Sequence, residues 1–136
     1  MICGSIVSMS KFKQILHHWL PALVMMLVIF WFSSQSSDEL PYFRWADAIV
    51  KKGGHMFGYG LLALSYWYGL GGDGKKRPLA WLFAVLYAMT DEFHQSFSAG
   101  RHPSIWDVLI FDNLGALISL WIAGLYIKRK RPDRHA

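Results

Sequence analysis

Asp91, Glu92, His94 and Gln95 stand within five consecutive positions, directly after the apolar run 79–89. Asp91 lies three residues from His94 and four from Gln95, so on a helix these three share one face. Glu92 is turned about 100° away, toward another neighbour or water. A histidine oriented by a carboxylate is a usable general base near neutral pH. Lys51 and Arg101 add cationic groups that can hold a phosphate or carboxylate, the arginine as a bidentate fork and the lysine as a point charge. Such a set suits phosphoester, glycosidic or acyl chemistry, with Asp91, His94, Glu92 and His55 as candidate catalytic groups. Lys51, Gln95, Arg101, Asp107, Ser34, Gln35, Tyr59 and Asn113 are the candidate binding groups. There is no Gly-x-Ser-x-Gly elbow, so no motif marks Ser34 as a nucleophile. His55, Asp91 and His94 could be brought together around a metal, but no His-Glu-x-x-His spacing supports it. No metal and no cofactor is expected.

The elements that must position these groups are apolar. A spanning helix needs roughly twenty residues, more than the run 79–89 supplies, so a helix that crosses carries the polar cluster to the membrane's edge. Ionisable groups are costly there and are functional candidates for that reason. Charged residues make up 17% of the chain, below the roughly 25% of soluble domains, and the apolar residues fall in four blocks. The fold expected is all-α, an integral membrane bundle of four transmembrane helices. A soluble helical domain would show amphipathic periodicity, which the blocks lack. The lone Cys3 excludes an intramolecular disulfide, and Met9 is a second plausible translation start beside Met1.

The first span runs from Trp19 to Phe32, with Pro21 in its first turn, and ends in the hydroxyl cluster Ser33-Ser34-Gln35-Ser36-Ser37. A short surface helix over 43–50 precedes the second span, from about Gly53 to Leu70. Lys51, His55 and Tyr59 fall at i, i+4 and i+8 on one stripe of that helix, and Gly54 and Gly58 offer a Gly-x-x-x-Gly face for close packing. Residues 71–78 form a basic linker whose glycines permit left-handed backbone, and Pro78 starts the third span, which reaches Phe97. The fourth span, from about Ile105 to Ile127, carries Asp107 at its start; Asp112 and Asn113 lie deeper, as helix-packing groups. The chain thus divides into a cytoplasmic arm over 1–18, a membrane domain over 19–127 and a basic cytoplasmic tail over 128–136.

Orientation follows from the basic residues. The arm, the Lys75-Lys76-Arg77 turn and the tail fall on one side, which the positive-inside rule makes cytoplasmic, so both termini lie inside. Alternating spans then gather Ser33 to Gln35, Lys51, His55, Asp91 to Gln95, Arg101 and Asp107 at the opposite face. Trp31, Trp45 and Trp106 are expected in the outer aromatic belt, and Tyr66, Trp67, Tyr68, Trp81, Trp121 and Tyr126 in the inner one. The net charge of +5 sits beside apolar blocks, where headgroups and orientation account for it, so membrane lipids rather than nucleic acid are the expected partners.

Ser33-Ser34-Gln35-Ser36, Lys51-x-x-x-His55-x-x-x-Tyr59, Asp91-Glu92-Phe93-His94-Gln95 with Phe97, Gly100-Arg101, and Asp107 followed by Asp112-Asn113-x-Gly115-Ala116 resemble the VanZ-like family from about Leu20 to Leu125. Ser119 stands where a second glycine would be expected after Gly115. The resemblance implies a small bacterial inner-membrane protein of four spans, its founding relative being associated with teicoplanin resistance, and it supplies no settled reaction. The function expected is action on, or shielding of, lipid-linked or cell-wall precursors at the outward face. The alternative is a non-catalytic scaffold or anionic-headgroup binder whose polar residues form a structural network.

Overall fold

The computed structural model describes the backbone of residues 3–34, 44–97, 106 and 108–130, with side chains over 13–34, 52–97, 106 and 108–129. Four α-helices make up the described chain: α1 (Cys3–Ser33), α2 (Arg44–Gly69), α3 (Arg77–Gln95) and α4 (Asn113–Lys130). A 3-10 turn over Gly74–Lys76 leads into α3, and a π-helical turn over Val108–Asp112 leads into α4. No strand occurs among the described residues. The central element is α2, which packs against α1, α3 and α4.

Helix starts differ from the expectations at two places. Pro21 lies inside α1 rather than in its first turn, because the helix already begins at Cys3 and runs through the arm over 1–18. The carbonyl of His17 thereby loses its helical donor, since proline has no N–H. The second region is one continuous helix, Arg44–Gly69, rather than a surface helix followed by a span. The turn is as read: Gly71 and Gly72 have φ of 90° and 68°, and α3 opens with proline in its first positions.

Two stretches, Lys13–Ser33 and Val108–Arg129, are long and apolar enough to cross a membrane. The other two helices carry more polar residues, α2 through Lys52, His55 and its glycines and α3 through Asp91, Glu92, His94 and Gln95.

Alanines line much of the interior, beside Tyr59, Leu62 and Leu120, and large apolar side chains cover the exterior. Ala22, Ala63, Ala80, Ala84, Ala88 and Ala116 are each at most 1% exposed, whereas Leu27, Phe93 and Trp121 are 68%, 69% and 64% exposed. Small side chains let helix backbones approach closely, and a continuous apolar jacket suits lipid contact rather than water. The arrangement fits a membrane protein.

Gly115 marks the tightest approach. A methyl group there would run into the main-chain carbonyl of Met56 on α2. Across the same seam a methyl at Gly60 would press on the Gly115 carbonyl at 3.1 Å, and the Ser119 hydroxyl, 2.8 Å from the Gly115 carbonyl of its own helix, lies 3.0 Å from the Gly60 carbonyl. Ser119 therefore lies in this seam, where a glycine was expected. The Gly54–Gly58 pair does not do this work: among the described residues Gly54 has nothing within 4 Å of an added methyl, and Gly58 meets only the Ile29 side chain at 3.7 Å.

A second tie joins α3 to α1, where the Tyr87 hydroxyl donates to the Met26 carbonyl at 2.6 Å. Tyr87→Phe is expected to cost about 1 kcal/mol, the usual net worth of one such bond. Thermal unfolding in detergent checks this, and a melting point equal to wild type would show the bond contributes nothing.

Candidate functional site

One face of α3 is a stripe of small residues that ends in polar ones: Ala80, Ala84, Ala88, Asp91 and Gln95 are all buried. The alanines bring α3 close to its neighbours, and that proximity delivers Asp91 to side chains from two other helices. Its Oδ2 accepts from Ser33 Oγ on α1 at 2.7 Å, from Tyr59 OH on α2 at 3.0 Å, and from Gln95 Nε2 one turn on at 3.0 Å. The Gln95 amide also reaches Ser33 Oγ at 3.3 Å. Ser33 and Tyr59 are each 1% exposed, and Asp91 is 3% exposed.

The two carboxylate oxygens are treated unequally. Oδ2 holds three donors, while Oδ1 is buried with no hydrogen-bond partner among the described residues. No cation pairs with Asp91 among those residues either. A buried polar atom without a partner is expensive, so Oδ1 is the point at which an added donor would gain most.

His94 does not pair with Asp91, although the two share a helix face. Its Nε2 lies 3.2 Å from Ser34 Oγ, and its ring stacks on Phe30 at 4.4 Å between centroids. Ser34 Oγ gives its own hydrogen to the Phe30 carbonyl at 2.7 Å, so it accepts from His94 Nε2–H. The basic nitrogen left to a neutral His94 is then Nδ1. The expected pairing of His94 with a carboxylate is replaced by a contact with Ser34, and Ser33 and Tyr59 take the space at Asp91. Glu92 is half-buried on a different side of α3.

A second acidic group approaches from α4. His55 Nδ1 and Asp112 Oδ1 are 3.4 Å apart, with Asp112 3% exposed at the end of the π-helical turn. The His55 ring stacks on Tyr59 at 6.0 Å. The α2 stripe thus carries His55 toward Asp112 and, one turn on, Tyr59 toward Asp91. Extra-residue turns of this kind often occur at functional sites.

The other predicted residues divide. Asn113 accepts from Trp81 Nε1 at 2.6 Å and donates to the Leu109 carbonyl at 3.3 Å, so it holds an interhelical tie rather than joining the cluster. Trp81 is accordingly part-buried, and Tyr66 and Trp67, 7% and 9% exposed, face the bundle interior. Tyr68, Trp121 and Tyr126 are exposed, as are Trp31 and Trp106. Gln35, Arg101 and Asp107, and the side chains of Lys51 and Trp45, lie outside the described residues. Among the described residues no three of His, Cys, Asp and Glu converge as a metal set, so His55, Asp91 and His94 do not form one.

Ser33 and Asp112 carry more of the geometry than the sequence reading assigned them. Ser33 lies eleven residues after Ala22 and four after Ile29, both buried, which puts it on the inward stripe of α1. Asp112 is an acid within an apolar run, a signal in its own right.

The family model described as VanZ/LLP1 matches residues 18–127. The chain belongs to the VanZ/LLP1 family. That match takes in every residue of the cluster, from Ser33 of α1 to Asp112 before α4. No curated protein and no solved structure matches the chain. Membership of VanZ/LLP1 and the two long apolar helices together fit a membrane protein.

Proposed function

We propose that this VanZ/LLP1 chain spans the bacterial cytoplasmic membrane four times with both termini inside. In this reading the Asp91 cluster faces outward and takes an envelope component, a lipid-linked or cell-wall precursor, which it turns over or shields. The observation that carries the reading is Asp91 itself. Three helices converge on one oxygen of its buried carboxylate, and the other oxygen is left without a hydrogen-bond partner among the described residues. Ionisable groups held in an apolar bundle mark substrate or ion pathways more often than simple packing. Half-buried His94, beside Ser34, supplies a proton-transfer group on the same helix. Shielding a precursor would raise tolerance to an antibiotic that binds it, as the family's founding relative invites.

A second reading has its own support. The three bonds to Oδ2 tie α1, α2 and α3 together, as a purely structural network would. The two separate in purified protein incubated with extracted lipid-linked precursors. Catalysis predicts a product in wild type that His94→Ala and Asp91→Asn abolish at unchanged abundance. Shielding predicts bound precursor without product, lost in Asp91→Asn. Failure of both variants to accumulate in the membrane would leave the network reading standing.

The topology has its own check. A cysteine introduced at Ser98 is expected to react with a membrane-impermeant maleimide in intact spheroplasts, and one at Lys75 only after lysis. The reverse pattern would put the cluster on the cytoplasmic face and remove envelope precursors as substrates.

A further inference from the structure

At the end of the bundle away from Asp91 lies a cavity of about 330 Å³, bounded by the glycine turn, the start of α3 and the last turns of α4. Fourteen residues of helix separate Arg77 from Asp91, or roughly 21 Å at the helical rise, so the two places are distinct. Arg77 and Lys128 line the cavity from opposite helices, with Trp67 and the Gly71-Gly72 turn beside them. The Arg77 guanidinium is steered there by two features. Its Nε donates to the Gly74 carbonyl at 3.2 Å, and its tip lies across Gly124, where a methyl group would strike it. Neither terminal nitrogen of Arg77, nor Lys128 Nζ, has a hydrogen-bond or ion-pair partner among the described residues. The one carboxylate in the lining among the described residues, Asp73, is engaged in its own turn, accepting from Lys75 N at 3.0 Å.

A concave site with a steered guanidinium fork and an ammonium group across from it is suited to a tetrahedral oxyanion. We propose that this cavity binds a phosphoryl group. The source favoured by the surroundings is the headgroup of an anionic phospholipid, because the exposed apolar side chains Trp121, Leu125 and Tyr126 run along α4 toward Lys128. Free inorganic phosphate offers the same chemistry and is distinguished by the test.

The test uses the full chain purified in a neutral detergent, titrated with dihexanoyl phosphatidylglycerol or with inorganic phosphate and read by native mass spectrometry. Saturable binding of phosphatidylglycerol without binding of phosphate identifies a lipid site, and binding of both identifies a phosphate site. Arg77→Gln and Lys128→Gln are each expected to weaken binding about tenfold, as loss of a charge-assisted contact should. Gly124→Ala moves only the flexible end of Arg77 and is expected to change affinity in a chain that still folds. Lys75→Gln removes equal charge from outside the cavity lining and is expected to bind within about twofold of wild type. No saturable binding of either probe, or an equal loss in Lys75→Gln, overturns the proposal.

Discussion

Gly115→Ala is expected to leave little folded protein, with a cost of about 3 kcal/mol or more, at the upper end of what overpacking produces. The added methyl would meet the main-chain carbonyl of Met56, which cannot rotate away as a side chain would. Relief requires α2 and α4 to move apart, and that separation also parts the Ser119 hydroxyl from the Gly60 carbonyl. Alanine improves intrinsic helix propensity by about 1 kcal/mol over glycine, which is too little to offset the clash. Gly54→Ala isolates that propensity, since no described residue lies within 4 Å of its added methyl, and it should be neutral or stabilising. The comparison is made by fluorescence-detected gel filtration after heating in detergent. A Gly115→Ala protein as stable as Gly54→Ala would show that the helices do not approach as described.

Asp91 should respond very differently to its two simplest replacements. Asp91→Ala strands the Ser33 hydroxyl, the Tyr59 hydroxyl and one Gln95 amide hydrogen in a buried place. Each stranded donor costs about 1–3 kcal/mol, and a loss of at least 3 kcal/mol is expected in total, because the costs do not simply add. Asp91→Asn keeps one oxygen to accept those donors and puts an NH₂ where Oδ1 stood. Its stability should fall within about 1 kcal/mol of wild type, while the negative charge and the acceptor at Oδ1 are gone. Thermal melts of the two variants side by side check the contrast. Equal stability of the alanine variant and wild type would mean that the three bonds do not hold the helices.

Much of the architecture is visible in the residues. Four helical regions, the left-handed glycine turn and the stripe carrying His55 and Tyr59 follow from apolar blocks, turn chemistry and helical periodicity. What local pattern cannot give is which of several equivalent groups faces inward. Ser33 and Ser34 are adjacent hydroxyls, yet one binds Asp91 and the other His94, a choice made by the rotation of α1 against α3. Asp91 and His94 share a face by spacing, but the slot beside Asp91 is filled by Ser33 and Tyr59 from neighbouring helices. Pairing across helices likewise decided the close approach. Gly54 and Gly58 have the better-known spacing, but Gly60 and Gly115 lie where the α2–α4 seam falls. Spacing within a helix was legible, whereas partnership between helices required the packed structure.

The central claim is that the Asp91 carboxylate is kept for a ligand and not only to hold helices together. Its most direct test is the profile of lipid-linked and cell-wall precursors in a deletion strain complemented with wild type or Asp91→Asn at matched membrane abundance. The deletion should shift the profile, wild type should restore it, and Asp91→Asn should not. Full restoration by Asp91→Asn, or a deletion profile indistinguishable from the parent, would contradict the account.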